Sequence, residues 1–406
     1  YLEDGVLITE QGKIRWFGSW DDAQAHLPAN VEIQHYPEQL IIPGMIDTHI
    51  HFPQTEMVGA YGEQLLSWLN TYTFPTEIQF QDPSYAQKIA EFFIQELLKN
   101  GTTTALVFCT VHPESVDALF EAAAQQQMRL IAGKVMMDRH APEALCDTAE
   151  SAYEDSKALI GKWHGQGRAL YAITPRFAPT STPEQLERAG QLKAEFPDVY
   201  VHTHLSENKD EIAWVKDLFP EQKGYLDVYH HYGLTGNRSV FAHCVHLEDQ
   251  EWQCMHETDS TIAFCPTSNL FLGSGLFPLK KTWQQQVKVG LGTDIGAGTS
   301  FSLLQTVNEA YKVQQLQGDK LSAFESLYHA TLGGAKALDL DNKLGNFNVG
   351  KEADFVVLNL KPTALQQLRQ SRAKSLEDSL FALFTMGDDR NIEATYIYGQ
   401  KAYSQS

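Results

Sequence analysis

Short apolar runs alternate with amphipathic stretches over most of the chain. The apolar runs are rich in β-branched residues and have the length of buried strands. Eight of them follow one another, at residues 40–52, 102–108, 129–138, 169–177, 199–207, 239–246, 261–269 and 287–296. Nearly continuous apolar strands of this kind predict a parallel sheet that is buried on both faces.

Helical patterns fill the intervals between these runs. Apolar residues recur there at steps of three and four, and glycine, proline or threonine stands where several of these helices end or begin. The clearest predicted helices cover residues 84–101, 113–127, 182–196, 299–317 and 321–338. Eight strand–helix units predict an α/β fold, a closed (β/α)8 TIM-like barrel. An open doubly wound sheet is the alternative, but no GxGxxG motif follows an early strand to support it.

The two ends of the chain predict a separate small domain. Residues 5–17 have the pattern of two strands joined by a Gln-Gly turn, and residues 354–360 and 394–403 are again strand-like. None of these segments can bury an apolar face alone, so we expect them to pack together as a small β-sandwich. The predicted division is a small β domain built from residues 1–42 and 345–406, with the barrel at residues 43–344.

Composition narrows the class of protein. The chain has 43% hydrophobic and 20% charged residues, as globular proteins do, and no apolar run reaches the ~18 residues of a membrane span. The formal net charge of −20 argues against a nucleic-acid polymer as a partner, because it would repel a phosphate backbone. Five cysteines without CxxC spacing, three of them in apolar runs, predict free thiols rather than disulfides and hence a cytoplasmic protein. The lack of a membrane-length apolar run predicts no membrane association.

Polar residues stand at the ends of several predicted strands. In a (β/α)8 barrel the C-terminal ends of all strands meet at one mouth, where functional residues gather. The first strand ends in His49 and His51, whose spacing turns both imidazoles to the same side. Strands five, six and eight add further histidines and carboxylates, namely His202, His204, Glu207, His243, His246 and Asp294. Their convergence predicts a polar site at the barrel mouth.

The residues predicted at this mouth suit a catalytic metal site. Three imidazoles and one carboxylate can hold one Zn²⁺ or Fe²⁺ with a position left open for water, whose pKa falls to about 7. The predicted ligands are His49, His51, His204 and Asp294. Glu207 is then placed to move a proton between water and substrate, and His243 to position the attacking group or stabilise developing charge.

Each of these residues also has an ordinary structural interpretation. Asp294 follows a Gly-Thr pair, where a turn aspartate is common, and Glu207 has the position of a solvated carboxylate in a first helical turn. His202, one layer deeper than His204, is better explained as a hydrogen-bonded core histidine. A second metal bridged by a carboxylated Lys134 is a further alternative, but the glycine-rich context of that lysine favours a structural role.

Several segments resemble the amidohydrolase superfamily. The resemblance lies in PGMIDTHIHF, HTHLSEN, AHCVH and GLGTDIG at the strand ends, and in GNFNVGKEADFVVLN near the C-terminus. Within the superfamily, residues 51–77 (HFPQTEMVGAYGEQLLSWLNTYTFPTE) are similar to the guanine deaminase family. NGTTTALVF, GKVMMD and TPRFAPT extend this similarity over nearly the whole chain.

The resemblance implies a zinc-dependent aminohydrolase that converts guanine to xanthine and ammonia in purine catabolism and salvage. It implies attack of a metal-activated hydroxide on C2 of guanine, with Glu207, His243 and Asp294 as catalytic residues. It also implies one metal ion on the ligands named above, with Fe²⁺ as an alternative to Zn²⁺, and a homodimer. The implied substrate-binding residues are His51, Gln54, Arg176, Phe177, His204, Glu207 and Asp294.

The additional substrate contacts have a physical rationale. Arg176 presents a planar fork of donors that matches the O6/N7 edge of guanine. Gln54 offers both a donor and an acceptor, and Phe177 can stack on the purine face. Without the resemblance, a rim salt bridge for Arg176 and core packing for Phe177 are the simpler interpretations.

Two other functions remain as alternatives. The first is a related enzyme that deaminates another purine, a pterin or a triazine, and Gln54 and Arg176 are the residues that distinguish it. The second is a catalytically inactive scaffold barrel, which should lack a metal ligand or the proton shuttle. All of these residues are present in this chain.

Overall fold

Eight parallel strands form the centre of the structure. The structure is a computed structural model, and it describes residues 1–28, 30–61 and 65–405. The strands in the described residues are β1 (Gly5–Glu10), β2 (Lys13–Ser19), β3 (Leu40–Pro43), β4 (Met45–His51), β5 (Thr102–Phe108), β6 (Arg129–Gly133), β7 (Val135–Met136), β8 (Ala169–Pro175), β9 (Tyr200–Leu205), β10 (Ser239–His243), β11 (Thr261–Phe264), β12 (Lys288–Leu291), β13 (Phe355–Leu358), β14 (Ile392–Ile397) and β15 (Gln400–Ser404). The parallel order is β4-β5-β6-β8-β9-β10-β11-β12, with the short β7 beside β8.

Helices occupy the intervals between the barrel strands, as the sequence predicts. The helices of the described residues are α1 (Trp20–Ala23), α2 (Leu65–Trp68), α3 (Phe74–Glu77), α4 (Pro83–Lys99), α5 (Pro113–Gln125), α6 (Ala149–Trp163), α7 (Pro183–Glu195), α8 (Lys209–Leu218), α9 (Tyr225–His231), α10 (Asp249–Glu257), α11 (Pro266–Phe271), α12 (Leu279–Gln284), α13 (Leu303–Leu316), α14 (Ala323–Tyr328), α15 (Gly334–Ala337), α16 (Ala364–Gln370) and α17 (Leu376–Met386). The π-helical turns are Leu69–Thr73 and His329–Gly333, and the 3-10 turns are Phe52–Met57, Ile78–Gln81, Glu143–Leu145, Ala178–Thr180 and Asp389–Asn391. In the described part of the chain, none of these helices is long and apolar enough to span a membrane.

Capping residues begin two of the predicted helices, α4 and α7, and α4 buries one face. The side chain of Asp82 accepts the Ser84 amide at 2.9 Å ahead of α4, and Thr182 accepts the Gln185 amide at 3.2 Å ahead of α7. Along α4 the apolar stripe that includes Phe93 is buried against the barrel. Burial of this stripe, rather than helix propensity alone, holds the helix on the barrel.

Hydrogen bonds between the first and last barrel strands close the barrel. The Asp294 amide, just after β12, donates to the His49 carbonyl of β4 at 2.9 Å, and the His51 amide donates to the Ile295 carbonyl at 3.2 Å. These contacts bring the end of β12 against β4, although the two strands lie at opposite ends of the hydrogen-bonded ladder. The closed barrel confirms the predicted TIM-like fold.

Asp47 joins the same two strands through its side chain. Its Oδ1 accepts the amides of Thr293 and His49, each at 3.1 Å, and its Oδ2 accepts the Thr293 hydroxyl. Gly292 permits this close approach, because a Cβ at that position would lie 2.9 Å from Cβ of His49. The seam of the barrel is therefore fixed directly beside His49.

Two antiparallel sheets outside the barrel contain both ends of the chain. The hairpin β1–β2 forms one of them, and β15-β14-β13-β3 forms the other. Leu7 of the hairpin packs against a cluster that includes Phe355, Val357 and Tyr396 of the larger sheet. This arrangement agrees with the predicted small β domain, while the boundaries at residues 42 and 344 stay a prediction.

Besides the run 129–138, which forms β6 and the short β7, two predicted strands are divided in the structure. The run 40–52, predicted as one strand, contributes β3 to the small domain and β4 to the barrel. The chain changes sheets at Gly44, where a Cβ would collide with Thr103. The run 394–403, also predicted as one strand, turns at Tyr398 and Gly399 into the hairpin β14–β15. In both runs, turn residues within the apolar sequence divide the predicted strand into two.

A buried ion-pair network fixes the small domain to the bottom of the barrel. Arg129 opens β6, and its Nη2 lies 2.7 Å from Oε1 of Glu352, which precedes β13. Nη2 of Arg168 lies 2.7 Å from Oε2 of Glu352 and also pairs with Asp354. Burial by itself would raise the pKa of Glu352, but the two arginines outweigh it and lower that pKa to about 2.

Replacing Glu352 with glutamine is therefore expected to destabilise the protein. The change leaves the buried guanidinium of Arg129 without its counter-charge, which costs about 3–5 kcal/mol, while Arg168 keeps its pair with Asp354. Urea denaturation of the purified variant measures this change in the free energy of unfolding. Glu38→Gln is the matched control, because Glu38 makes a 3.6 Å ion pair with Lys361 in a largely exposed position. Equal effects of the two substitutions would contradict the expectation.

Candidate active site

Histidines and carboxylates converge at the C-terminal mouth of the barrel. His49 and His51 end β4, His204 lies on β9 and His243 ends β10, while Glu207 and Asp294 follow β9 and β12. His243 and Asp294 have positive φ angles of 72° and 52°. Such left-handed backbone is uncommon for these residue types and ends the strands at the mouth. The side chains that the sequence places at strand ends thus face one another.

The predicted metal ligands lie close together, in two overlapping groups that share His49. One nitrogen from each of His49, His51 and His204 lies within 4.8 Å of the others, and the same holds for donor atoms of His49, His243 and Asp294. Oδ1 of Asp294 lies 3.1 Å from Nε2 of His49 and 3.3 Å from Nε2 of His51. Donor atoms this close together can bind a single divalent ion.

The protonation of His204 directs a lone pair into this cluster. Its Nδ1 lies 2.7 Å from the carbonyl oxygen of Arg176, and a carbonyl only accepts, so Nδ1 carries the proton. Burial lowers the pKa of His204 well below its usual range, so the ring is neutral and Nε2 has a free electron pair. This Nε2 lies 3.2 Å from Nε2 of His51.

His49 also directs a buried ring nitrogen into the cluster. Its Nδ1 lies 2.8 Å from Nε2 of His202, which makes His202 a hydrogen-bonded core histidine as predicted. Among the described residues, none forms a hydrogen bond with Nε2 of His49, although that buried atom faces Asp294. Burial lowers the pKa of His49, which keeps the ring neutral. Neutral imidazole rings and a carboxylate that face each other in this way fit Zn²⁺ or Fe²⁺.

Glu207 lies beside this cluster in a protected position. Its Oε1 accepts the Ser274 hydroxyl at 3.0 Å, and its Oε2 lies 3.5 Å from Nε2 of His243. Burial and the nearby Asp294 raise the pKa of Glu207 to about 8. A carboxyl group with a pKa near the working pH can both take up and release a proton. A cation on the adjacent imidazoles would lower the pKa of Glu207 towards 7.

Further buried groups hold Glu207 and His243, and sequence reasoning did not find them. Oε2 of Glu211 accepts the Glu207 amide at 3.0 Å, and its Oε1 accepts the Tyr225 hydroxyl at 2.7 Å. Nδ1 of His243 donates to Oδ1 of Asn269 at 2.9 Å, and this hydrogen bond orients the ring with Nε2 towards Glu207. Only Glu211 has a sequence signal, because it stands three residues after the capping residue of α8.

The predicted guanine-binding residues line one pocket with the cluster. Gln54, Arg176 and Phe177 surround the same space as His51, His204, Glu207, His243 and Asp294. Leu65, Trp68, Leu69, Leu272 and Ala297 add apolar walls. The first three of these apolar residues come from α2 and the π turn after it, which cover one side of the pocket. A pocket with apolar walls and a few converging polar groups is typical of a small-molecule site.

Two residues with alternative interpretations from sequence, Lys134 and Arg176, form ion pairs. Lys134 is fully buried, but its Nζ lies 2.5 Å from Asp147, so it is engaged in an ion pair rather than in bridging a second metal. Arg176 is also paired: its Nη1 donates to Glu77 at 2.7 Å, which is a buried counterpart of the rim salt bridge considered from sequence. Glu77 itself was missed, because its partner lies far away in sequence.

A comparison with models of protein families identifies the family of this chain. The model of the amidohydrolase family matches residues 40–402. The chain belongs to the amidohydrolase family.

Several proteins that are similar to this chain are guanine deaminases. Guanine deaminase of Escherichia coli (strain K12) is 64% identical over 406 residues, which is 100% of this chain and 92% of that protein. A solved structure of E. coli guanine deaminase has a TM-score of 0.98 and covers 99% of this chain and 93% of its own. A guanine deaminase of C. acetobutylicum, solved with guanine in its active site, has 33% identity, a TM-score of 0.91 and coverages of 99% and 95%. These relatives confirm the predicted resemblance.

Proposed function

We propose that the protein hydrolyses guanine to xanthine and ammonia with the help of one divalent metal ion. The observation that carries this proposal is the pocket in which Glu207 and the histidine cluster share the walls with Gln54, Arg176 and Phe177. The similarity to guanine deaminases over the whole chain supports the same substrate. The presence of every predicted catalytic group argues against an inactive scaffold.

The proposed metal ligands are His49, His51, His204 and Asp294. When bound, a Zn²⁺ or Fe²⁺ ion supplies Lewis acidity that lowers the pKa of a water molecule to about 7. Zn²⁺ is the proposed ion, because imidazole nitrogens and carboxylate oxygens are its usual ligands at catalytic sites. Hydrogen bonds from the other ring nitrogens orient the ligands, as the pairs His49–His202 and His204–Arg176 do.

The chain itself binds and orients the purine. The Arg176 guanidinium faces the pocket with a planar set of donors, which suits the O6/N7 edge of guanine. Gln54 adds an amide beside His51, and Phe177 offers a ring face for stacking. With the purine held in this way, C2 and its amino group are directed to the cluster, and the apolar residues of α2 exclude water from the reacting atoms.

Glu207 moves the protons in the proposed reaction. It takes a proton from the attacking water and delivers it to N3 of guanine as the oxygen adds to C2. Glu207 and its neighbours then move the proton of the new C2 hydroxyl to the amino group, and ammonia leaves as the C2 carbonyl of xanthine forms. Asp294 accepts a hydrogen bond that keeps the attacking oxygen in line, and His243 stabilises the charge that develops beside it.

The cellular setting is a further part of the proposal. We place the enzyme in the cytoplasm, acting in purine catabolism and salvage. All five cysteines, which lie within the described residues, are free thiols, in keeping with a reducing compartment. The proposed homodimer rests on the family resemblance alone, and its test is the mass of the purified protein in solution.

Ammonia release from a panel of substrates tests the proposed activity. The panel contains guanine, 8-oxoguanine, adenine, cytosine and an aminotriazine, and the metal content of the same sample is determined. We expect turnover of guanine well above that of adenine and cytosine, with about one metal ion per chain. No release from guanine beside turnover of another compound would replace this function with that of a related aminohydrolase.

A further inference from the structure

Glu77 is a fully buried carboxylate placed behind the pocket. It ends α3, and its side chain is 0% exposed. Nη1 of Arg176 donates to both of its oxygens, at 2.7 Å and 3.0 Å. Nε2 of Gln54 donates to Oε1 of Glu77 at 3.2 Å. One carboxylate thus contacts the two polar side chains through which the pocket would recognise a base edge.

The same short helix also fixes the plane of the guanidinium. Phe74, at the start of α3, places its ring 5.6 Å from Cζ of Arg176. Within the described chain, the hydrogen bonds of the Arg176 side chain go to Glu77 through Nη1 alone. The other guanidinium nitrogens remain for a ligand. Arg176 is held through Nη1 and over one face of its guanidinium, and the residue also lines the pocket.

Charge balance gives Glu77 a second effect. Arg176 is 3% exposed, so without Glu77 its positive charge would be buried with no carboxylate paired to it. Such a charge favours anionic ligands. Xanthine loses a proton more readily than guanine, because a carbonyl replaces the amino group at C2. The Arg176–Glu77 pair therefore favours the neutral substrate over the ionised product.

We propose that Glu77 is the positioning residue that sets purine specificity, by orienting Arg176 towards the 6-oxo edge and by neutralising its charge. This inference rests on the proposed guanine-deaminating function. Glu77 acts through Arg176 and Gln54 and takes no part in proton transfer. Its removal should therefore change substrate discrimination and product binding more than the rate of the chemical step.

The test compares guanine with 2-aminopurine in the variant Glu77→Gln. Both purines carry an amino group at C2, but 2-aminopurine lacks the 6-oxo group that Arg176 would contact. We expect the ratio of kcat/KM for guanine to that for 2-aminopurine to fall about 10-fold to 100-fold, mainly through a higher KM for guanine. Inhibition by xanthine should become stronger than in the unmodified protein. Metal content should stay unchanged.

Two further variants separate positioning from loss of structure. Glu77→Asp keeps the charge but withdraws the carboxylate by one methylene, so the ratio should fall in the same direction by a smaller factor. Asp147→Asn is the matched control, because it breaks the buried pair with Lys134 outside the pocket. This control should lower stability and leave both the substrate ratio and xanthine inhibition unchanged.

The outcomes distinguish this inference from the function on which it rests. If the unmodified protein releases no ammonia from guanine, the proposed function fails and the inference fails with it. If it is active but Glu77→Gln lowers turnover of both purines by the same factor, only the role of Glu77 is overturned. Unchanged inhibition by xanthine in the folded variants would overturn the charge argument. A shifted ratio in the two Glu77 variants but not in Asp147→Asn supports the inference.

Discussion

Glu207→Gln is expected to reduce kcat for guanine by about 10²-fold to 10⁴-fold, the range that general acid–base catalysis contributes. Glutamine has nearly the same shape and can still accept a hydrogen bond from Ser274, which lies 3.0 Å from Oε1 of Glu207. The amide cannot take up and release a proton, so both proton transfers at the purine lose their carrier. Since Glu207 is not a proposed ligand, the metal content should remain that of the unmodified protein.

Steady-state ammonia release, combined with metal analysis, measures this effect. Ser274→Ala is the graded companion, because it removes one hydrogen bond from Glu207 but keeps the carboxyl group. Its loss in kcat should amount to about tenfold, far less than that of Glu207→Gln. Near-normal turnover in Glu207→Gln would show that another group carries the protons.

Asp294→Asn is expected to weaken metal binding by about 10²-fold or more and to abolish turnover of guanine. Oδ1 of Asp294 lies 3.1 Å and 3.3 Å from the Nε2 atoms of His49 and His51, so it supplies the anionic donor of the proposed site. An amide of the same size fills the space but removes the negative charge. The cation then has only neutral imidazoles to bind.

Dialysis against a chelator, followed by metal analysis and an activity assay, measures this loss. His230→Gln is the control, because this histidine is exposed on α9 and hydrogen-bonds Thr235 at 2.8 Å. The control should retain metal and activity. Full metal retention in Asp294→Asn together with normal turnover would remove Asp294 from the proposed ligand set.

The strand ends of this protein were predictable because barrel geometry assigns them a common place. His49, His204 and Asp294 lie far apart in sequence, but each stands at or just after the C-terminal end of a barrel strand. Recognising the strands from their apolar runs was therefore enough to predict that these side chains meet. The resemblance to a known family then added Gln54, which follows the first barrel strand, and gave Arg176, at the end of the predicted strand 169–177, a role in substrate binding.

Glu77 could not be predicted in the same way. It lies in a series of short helical turns between Leu65 and Gln81, where hydrophobic periodicity does not fix the direction of a side chain. Its ion pair with Arg176 spans 99 positions in sequence. A single sequence contains no signal for such a contact. Ser274, in a loop after α11, was missed for the same reason.

The predicted strand boundaries were wrong where turn residues lie inside apolar runs. Gly44 divides the run 40–52 because its amide donates to the Asp354 carbonyl at 2.9 Å, which ties β3 to the small domain. The hydrophobic pattern on both sides of Gly44 is continuous, so periodicity alone joins the two strands. Only the tertiary partner of Gly44 shows that the chain passes there from one domain to the other.

The seam of the barrel runs directly through the histidine cluster. His49 and His51 end β4, whereas Asp294 follows β12, and the amides of His51 and Asp294 form the hydrogen bonds that join these segments. An ion bound by all three side chains would crosslink the first and last strands of the sheet. Binding of the metal ion would then stabilise the contact between β4 and β12. Removal of the ion would open the hydrogen bonds between these two strands before those between β5 and β6.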